Sequence, residues 1–386
     1  MHNFIPYGTQ NIEQEDIEAV ISTLKSDYLS TGPKVKEFET KFAQYVGSNY
    51  AVAVSSGTAA LHCACLAMGL KKGDEVITTP LTFIATSNAI LYCQATPVFV
   101  DIDINTFNID VNKIEEKITP NTKAIIPVHF SGNPCNMEKI MELANKYNLM
   151  VIEDAAHALG AVYNNKKIGQ IGDMTAFSFH PVKHITTGEG GMITTNNKEL
   201  YEKLLLFRNH GMTREKEQFV NEEKEGNWYY EQICLGFNYR LTDFQSALGI
   251  VQLDKMSKSI KRRKEIANLY EEYLKDIPEI KIPYNCDNKN SVWHLYIIRI
   301  VDKDIDRKVF FDKLRERNIG VNVHYLPVHC HPYYRGLGYS KGICPIAEKI
   351  YEEIITLPIH PKMTNEDVLY IIKSIKEIIL EERNEK

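Results

Sequence analysis

Lys183 has the setting of a nucleophile rather than of an ordinary surface lysine in this 386-residue chain. It follows an apolar run at residues 174–179 and precedes a glycine-bearing turn at residues 186–191. An amine held where a buried strand ends has its charged form disfavoured, so its pKa falls and the neutral amine can attack an electrophile. Taken alone, a lysine is more often a solvated surface residue. A neutral amine here could form an imine with an aldehyde, and the neighbouring motifs support that chemistry.

Two adjacent acids, Glu153 and Asp154, end the apolar segment that begins at Met150. An ionised carboxylate at the end of a buried strand is costly unless it meets a cation. The protonated ring nitrogen of pyridoxal phosphate is such a cation, and the pairing makes the ring an electron sink. The alternative role for Asp154 is to cap a following helix. His157 could hydrogen-bond the ring hydroxyl in the same pocket, or it could be an interior histidine with ordinary partners.

The Ser-Ser-Gly-Thr-Ala-Ala segment at residues 55–60 has the composition of a phosphate cradle. Gly57 would let the backbone approach an anion closely, and the free N–H groups of the helix that follows would point at it. An ordinary N-cap by Ser56 or Thr58 is the alternative, and the two interpretations are compatible. Ser178, which alternates outward between two phenylalanines, could add a hydroxyl to the same phosphate.

Phe83 and Asn238 complete the set of candidate cofactor-binding residues. Phe83 follows the second predicted strand, where an aromatic ring can lie flat against a heteroaromatic one, although alone it would be assigned to the core. Asn238 is a polar side chain inside an aromatic run, and its alternative is a turn residue. The candidates follow successive strands in the order phosphate cradle, stacking ring, acid, hydroxyl and lysine. Their order predicts one pyridoxal phosphate site.

The elements that must position these residues alternate between short apolar runs and helical patterns. This alternation predicts an α/β fold with a seven-stranded, mostly parallel sheet covered on both faces. Ligands of such sheets bind beyond the carboxyl ends of the strands, which is where the candidates lie. The predicted strands are 51–55, 75–79, 96–101, 123–129, 150–154, 175–179 and 191–195, and the predicted helices between them are 58–68, 83–92, 111–117 and 137–147.

The pattern after residue 191 predicts a second, smaller α/β domain. We place the large cofactor-binding domain at residues 1–250 and the small C-terminal domain at 251–386. The charged and poorly periodic segment 214–231 is predicted to be a surface loop or a mobile lid. In the C-terminal part, helices are predicted at 256–276, 306–317, 346–354 and 365–381, and strands at 293–301 and 320–325.

The composition is that of an ordinary soluble globular protein, with 44% apolar and 25% charged residues. The net charge of −5 argues against a nucleic-acid partner or an anionic membrane. We find neither a secretory signal nor an apolar run long enough to span a bilayer. The eight cysteines form no C-x-x-C pair, which is typical of reduced thiols in the cytoplasm. They are Cys63, Cys65, Cys93, Cys135, Cys234, Cys286, Cys330 and Cys344.

A metal site is not expected. His329, Cys330 and His331 are adjacent and follow His324, and neighbouring residues rarely converge on one ion without a helical or knuckle spacing.

Five motifs give the chain a resemblance, nearly end to end, to the DegT/DnrJ/EryC1/StrS family of sugar aminotransferases, which have pyridoxal-phosphate fold type I. The motifs are residues 56–60, 79–83, 153–160, 177–191 and 236–240. The resemblance implies that Lys183 bonds to the cofactor aldehyde and carries the proton transfers of the reaction. It further implies that Asp154 pairs with the ring nitrogen, His157 contacts the ring oxygen, Phe83 stacks on the ring, Thr58, Ala59 and Ser178 hold the phosphate, and Asn238 reaches the phosphate of a neighbouring subunit. The last role implies a homodimer with shared active sites.

Further segments are similar to the C4 aminotransferases of the pseudaminic acid pathway, within the same family. They are residues 180–183, 185–191, 28–30 and 323–327, together with Tyr7. Those enzymes transfer the amino group of L-glutamate to a UDP-4-keto-6-deoxy-N-acetyl sugar. By this resemblance the sugar nucleotide would contact Tyr7, Asp27, Tyr28, Leu29, Ser30, Gly57, Ser178, Asn322, Val323, His324 and Tyr325. Position 184 is histidine here, where some relatives have proline or asparagine.

Other functions on this fold remain open. An aminotransferase could act at C4 or C3 of a GDP- or dTDP-linked keto sugar. A sugar dehydratase would have histidine in place of Lys183, and a cysteine desulfurase would need a mobile nucleophilic cysteine. A nicotinamide dehydrogenase would require a G-x-G-x-x-G turn that residues 55–60 do not supply. A non-catalytic regulatory protein would be expected to lose Lys183 or Asp154, and both are present.

Overall fold

The structure is a computed structural model that describes residues 3–221, 226–284 and 289–384. Its strands are β1 (Tyr50–Val54), β2 (Glu75–Thr78), β3 (Thr96–Phe99), β4 (Thr122–Ile126), β5 (Met150–Asp154), β6 (Val162–Tyr163), β7 (Lys166–Lys167), β8 (Met174–Ser178), β9 (Gly191–Thr195), β10 (Met212–Thr213), β11 (Glu231–Gln232), β12 (Ile280–Lys281), β13 (Lys289–Asn290), β14 (Tyr296–Ile300) and β15 (Ile354–Leu357).

The α-helices lie between these strands and at both ends of the chain. They are α1 (Gln14–Leu24), α2 (Pro33–Val46), α3 (Gly57–Ala67), α4 (Ala85–Tyr92), α5 (Met137–Tyr147), α6 (Lys198–Arg208), α7 (Asp243–Asp254), α8 (Met256–Leu274), α9 (Arg307–Glu316), α10 (Pro332–Gly336), α11 (Pro345–Glu353) and α12 (Asn365–Asn384).

Seven strands form the large sheet in the order β1-β9-β8-β5-β4-β2-β3. Strand β9 is antiparallel to both of its neighbours, and the other pairs are parallel. The predicted seven-stranded, mostly parallel sheet is therefore confirmed. Because β1 and β8 both run opposite to β9, six strands end at the same edge of the sheet. The segments that follow β1, β2, β5 and β8 consequently meet there.

Both faces of the large sheet are buried, as its near-continuous apolar strands require. One face packs on a cluster that includes Phe38, Phe42 and Phe177, and the other on a cluster that includes Val52 and Ile152. Adjacent residues of β5 therefore face different environments, since side chains alternate across a strand.

A second sheet has the order β12-β14-β15 and is antiparallel throughout. It shares an apolar cluster with helices α8, α9 and α12, represented by Tyr270, Phe310 and Ile375. Ile5 belongs to the same cluster and pairs with Ile319, so the N-terminal segment packs here although it lies in the first part of the chain. The domain boundary at residue 250 stays a prediction.

Two predicted elements are wrong. Residues 320–325 do not form a strand. Within this segment only Asn322 pairs as a strand residue would, in an isolated bridge with Thr356 of β15. Strand β15 was not predicted, and Thr356 lies too far from Asn322 in sequence for a local pattern to reveal their pairing. The predicted helix at 111–117 consists instead of two 3-10 turns, Val111–Lys113 and Glu115–Lys117.

The described part of segment 214–231 is a loop that contains one 3-10 turn, Lys216–Gln218. The Glu231 carboxylate accepts hydrogen bonds from the backbone N–H groups of Val220 and Asn221 at 2.6 and 3.1 Å. These bonds join the two ends of the loop, and residues 222–225 within it lie outside the described residues, as does Cys286. Among the described helices, none combines the length and apolar character needed to cross a bilayer.

Candidate active site

A cavity of about 570 Å³ opens at the carboxyl edge of the large sheet. It has the size expected of a cofactor or small-molecule site. Twelve of the predicted site residues line it: Tyr7, Gly57, Thr58, Phe83, Asp154, His157, Ser178, Lys183, Asn322, Val323, His324 and Tyr325. Residues predicted from the strand-end rule therefore lie in one cavity with Tyr7 and residues 322–325, which were predicted from the resemblance alone.

The Asp154 carboxylate ends β5 on the cavity side. Its Oδ2 accepts a 2.6 Å hydrogen bond from the Thr86 hydroxyl, and its Oδ1 accepts one of 3.1 Å from the backbone N–H of Ala156. Residues 155–160 contain no helix, so Asp154 caps a turn rather than the helix considered from the sequence. Burial raises the pKa of Asp154, and the hydrogen bonds from Thr86 and Ala156 oppose that rise.

Glu153, the other acid of the pair, points to the opposite face of the sheet. It accepts hydrogen bonds from His129 Nε2 at 2.8 Å, from the Gly172 N–H at 2.8 Å and from the Thr175 hydroxyl at 2.9 Å. The Cys135 N–H donates to His129 Nδ1, so the proton of a neutral ring lies on Nε2 and is donated to Glu153. Glu153 is fully satisfied within the core, and Asp154 is the acid available to the cavity.

Lys183 reaches the cavity from the turn after β8. Burial lowers the pKa of its amine to about 8, and the negative charge of Asp154 opposes this decrease. Lys183 Nζ lies 3.4 Å from His294 Nε2. A substantial fraction of the amine is therefore neutral at slightly alkaline pH, as a nucleophile requires.

His157 has a defined proton position. The backbone N–H of Ser131 donates to its Nδ1 at 3.3 Å, and its Nε2 lies 3.2 Å from the Tyr325 hydroxyl. Burial, reinforced by the positive charge of Lys183, holds the pKa of His157 well below its usual value. The ring is therefore neutral, with its proton on Nε2, and it can act as a hydrogen-bond donor beside the cavity.

Gly57 brings the start of α3 against Ser178. A Cβ at position 57 would lie 2.8 Å from Ser178 Cβ and 3.1 Å from its Oγ, so a larger residue does not fit. The first N–H groups of a helix have no intrahelical acceptor and attract anions. Ser56 caps the helix by accepting the Ala59 N–H at 3.0 Å. The N–H groups of Gly57 and Thr58 are thus the ones placed to meet a phosphate.

The Phe83 ring forms part of the cavity wall and is 56% exposed. Its centroid lies 6.2 Å from that of Tyr325, at an interplanar angle of 54°. A planar ligand entering the cavity would cover this exposed face.

Six predicted site residues do not line the cavity of this chain. Ala59 is buried in α3. Asn238 pairs with Asn209 in a backbone bridge. The remaining four, Asp27, Tyr28, Leu29 and Ser30, are exposed at the surface. Their roles in binding stay predictions.

Two residues beside the site were missed. Thr86 binds Asp154, and His294 contacts Lys183 and lines the cavity. The sequence contains only weak indications of these two residues. Thr86 follows Thr82 by four residues, and His294 is the single histidine in the apolar run 292–298.

His329, Cys330 and Glu348 come together despite the unfavourable spacing in sequence, with potential ligand atoms within 4.8 Å of one another. His329 Nε2 and Glu348 Oε1 are 2.8 Å apart, so a direct hydrogen bond already accounts for their proximity. His324 is elsewhere, bonded through Nδ1 to the Thr356 hydroxyl at 2.9 Å.

Known proteins resemble the whole chain. In curated sequences it is 44% identical to the spore coat polysaccharide biosynthesis protein SpsC of Bacillus subtilis, over 98% of both chains. It is 40% identical to the UDP-4-amino-4,6-dideoxy-N-acetyl-beta-L-altrosamine transaminase of Campylobacter jejuni, over 97% of both chains. It is 39% identical to the GDP-perosamine synthase of Escherichia coli O157:H7, over 97% of this chain and 98% of that one.

Two solved structures share the fold. PseC of Helicobacter pylori, an aminotransferase involved in the biosynthesis of pseudoaminic acid, superposes with a TM-score of 0.90 at 34% identity, covering 97% of this chain and 99% of that one. A putative sugar aminotransferase from Streptococcus pneumoniae, solved in its PLP form, gives a TM-score of 0.91 at 32% identity, covering 98% and 99%. The predicted fold type I is confirmed by these structures. Residues 10–376 match the model of the DegT/DnrJ/EryC1/StrS aminotransferase family, and the chain belongs to that family.

Proposed function

We propose that the protein is a pyridoxal-phosphate-dependent aminotransferase that moves the amino group of L-glutamate to C4 of a UDP-4-keto-6-deoxy-N-acetyl sugar. The main support for aminotransferase activity is that Lys183 and Asp154 line the same cavity. Their chemistry is complementary, because one is a desolvated amine and the other a buried acid.

The residues present fit pyridoxal phosphate. The Asp154 carboxylate forms no ion pair within 4.0 Å in the described part of the chain, so a protonated ring nitrogen would supply the cation that it lacks. There is no room for a Cβ on Gly57 next to Ser178. The first residues of α3, Gly57 and Thr58, line the cavity, and the start of a helix suits a phosphate. The exposed face of Phe83 suits a planar ring.

Each of these residues would have a separate role in holding the cofactor. Gly57, Thr58 and Ser178 would bind the phosphate, and Phe83 would stack on the ring. His157, which carries its proton on Nε2, would donate a hydrogen bond to the ring oxygen. Asn238 would bind the phosphate held by a second copy of the chain, in a homodimer with shared sites. This role accounts for its position outside the cavity of its own chain.

Pyridoxal phosphate, when bound, supplies an electron sink for negative charge that develops on the α-carbon of an amino acid. Asp154 would keep that sink effective by holding its charge next to the ring nitrogen. Lys183, with a pKa near 8, can accept a proton at Nζ and return it, as a general base and then a general acid.

The nature of the sugar substrate is argued from relatives and from the cavity wall. Tyr7 and residues 322–325 line the cavity beyond Lys183, where a second substrate would enter. The relative from C. jejuni is named for a UDP-linked sugar. Residues 27–30 would contact the sugar nucleotide from outside the cavity. A cytoplasmic location is part of the proposal, and it agrees with the free state of the seven described cysteines.

A GDP-linked 4-keto sugar is the second candidate substrate. The specific observation in its favour is the 39% identity to GDP-perosamine synthase, nearly equal to the 40% identity to the UDP-sugar enzyme.

The proposal is tested by incubating the pure protein with glutamate and a panel of UDP-, GDP- and dTDP-linked 4-keto sugars. Mass spectrometry of the sugar nucleotide would detect the amino product. We expect amination of the UDP-linked N-acetyl sugar in preference to the others. Preferential amination of a GDP-linked sugar would favour the second candidate, and no amination of any sugar would contradict both.

A further inference from the structure

His294 lies beside the amine of Lys183, although 111 residues separate the two in sequence. It precedes β14 and is 5% exposed. Its Nε2 is 3.4 Å from Lys183 Nζ, and its ring lies 4.4 Å from the ring of His157 at an interplanar angle of 37°. His294 thus connects the two residues proposed to act on the cofactor.

The backbone of His294 is fixed from two sides. Its N–H donates to the carbonyl of Ser131 at 2.9 Å. Arg263 Nη1 donates to the carbonyls of Trp293, His294 and Ile359 at 3.1, 3.3 and 2.8 Å. These bonds leave the His294 ring little freedom to move away from Lys183.

Arg263 is only 1% exposed and forms no ion pair within 4.0 Å in the described part of the chain. Burying a guanidinium without an acid partner is costly in free energy, so other polar groups must compensate for it. Three backbone carbonyls satisfy its Nη1, and two of them belong to Trp293 and His294. Its structural effect is therefore to fix the segment that presents the His294 ring.

The charges around His294 all favour its neutral form. The groups that face it are Lys183, His157, His184 and Arg263, none of which is an acid. Burial, together with the positive charges of Lys183 and Arg263, holds the pKa of His294 well below its usual value. A neutral imidazole has one nitrogen that can accept a hydrogen bond; Nε2 is the ring nitrogen that faces Lys183, and the buried Nδ1 has no hydrogen-bond partner among the described residues.

We propose that His294 Nε2 accepts a hydrogen bond from Lys183 Nζ and thereby positions the amine, with Arg263 holding His294 in place. This role rests on the proposed function, since it concerns the amine that would bond to the cofactor. A neutral amine has two N–H groups and one lone pair. When one N–H is directed to His294, the lone pair is directed away from that ring, and the amine approaches an aldehyde in a fixed orientation.

The test uses the full-length protein freed of cofactor, in three variants. His294→Gln retains a side chain that can accept a hydrogen bond, and His294→Leu fills similar space without an acceptor. His360→Leu is the matched control, because His360 is also a buried histidine near Arg263 but does not line the cavity.

The first measurement is the rate at which added pyridoxal phosphate produces a visible absorption band, between pH 6.5 and 9.5. We expect His294→Leu to lower the limiting rate about fivefold, the effect of losing one neutral hydrogen bond. His294→Gln and His360→Leu should keep most of the rate. Equal rates in the wild type and His294→Leu would overturn the inference. An equal loss in His294→Leu and His294→Gln would also overturn it, because only the shape of the ring would then matter.

The second measurement needs no cofactor. The pH dependence of reductive methylation at Lys183, followed by peptide mass spectrometry, reports the pKa of the amine. An acceptor stabilises the ammonium form, so the pKa should fall below about 8 in His294→Leu and not in His294→Gln. An unchanged pKa in His294→Leu would contradict the inference. A wild-type protein that binds no pyridoxal phosphate would contradict the proposed function instead.

Discussion

The Thr86 hydroxyl donates a hydrogen bond of 2.6 Å to Oδ2 of Asp154. Thr86 lies in the first turn of α4, and its hydroxyl is also 2.9 Å from that of Thr82. A hydroxyl that donates to a carboxylate favours the ionised form of the acid. This bond therefore counteracts the burial that raises the pKa of Asp154.

Thr86→Val should weaken the binding of pyridoxal phosphate. The variant keeps the shape of the side chain but removes the donor, so the pKa of Asp154 rises further and the carboxylate is less often ionised. A hydrogen bond to a charged group contributes about 1.5–3 kcal/mol, which predicts an increase in Kd of about tenfold or more. Fluorescence titration of the cofactor-free protein would measure it. Thr86→Ser is the control and should bind like the wild type; equal Kd values in all three proteins would contradict the prediction.

Lys183→Ala should abolish turnover and the visible absorption band that forms on addition of pyridoxal phosphate. The variant lacks the amine that would bond to the aldehyde and transfer the proton. Lys198→Ala is a suitable control, because Lys198 is exposed and only forms a surface ion pair with Glu202. Full activity in Lys183→Ala would refute the role of this residue.

The chemical reactivity of Lys183 should have a midpoint near pH 8 in the cofactor-free protein, whereas an exposed lysine titrates near 10.5. Asp154→Asn should move the midpoint to lower pH, because the negative charge of Asp154 favours the ammonium form. Reductive methylation over a pH series would show both effects. A midpoint near 10.5 in the wild type, or an upward movement in the variant, would be inconsistent with a buried amine facing that acid.

Gly57→Ala should weaken cofactor binding, whereas a glycine-to-alanine substitution at a position with free space around the added Cβ should not. Its Cβ would lie 2.8 Å from Ser178 Cβ and would separate α3 from β8. Gly336→Ala is the matched control, since nothing lies within 4 Å of the added Cβ there. The Kd of pyridoxal phosphate should rise in the first variant and stay unchanged in the second.

Stability should decrease as the pH falls below 6.5. Burial lowers the pKa of five histidines, to about 3 for His324, to about 4 for His360, and well below the usual value for His157, His184 and His294. Below pH 6.5 the unfolded chain binds protons that the folded protein does not, so the free energy of unfolding falls. Each histidine can contribute up to about 1.4 kcal/mol per pH unit until its folded pKa is reached.

Urea unfolding at pH 7, 6 and 5 would measure this effect. In His360→Asn the free energy of unfolding should decrease by about 1 kcal/mol less between pH 6 and 5 than in the wild type, because one histidine no longer contributes. A free energy of unfolding that stays constant from pH 7 to 5 would contradict the prediction, because the folded and unfolded states would then bind equal numbers of protons.

The parts of the site that the sequence could predict follow strands of one sheet. Asp154 and Ser178 end a strand, and Gly57 and Phe83 lie in the segments that follow one, so a rule about sheet edges suffices to predict that they lie together. Lys183 follows by the same rule. The predictions needed the order of elements along the chain but no knowledge of the exact packing.

Contacts between distant segments could not be predicted in this way. His294 meets Lys183 because Ser131 and Arg263 hold its segment over the sheet edge, and no local pattern contains that information. The error at residues 320–325 has the same origin. The segment has the alternating apolar residues of a strand, yet its one bridge joins Asn322 to Thr356, more than thirty residues later in sequence.

The alternation along β5 has a consequence for how this family of proteins can vary. Glu153 and Asp154 face opposite sides of the strand, one bonded to His129 in the core and the other facing the cavity. Insertion or loss of a single amino acid upstream in the strand would exchange the two carboxylates. Evolutionary changes in chain length should therefore be confined to the connections around β5, whereas the strand itself should keep a constant number of residues.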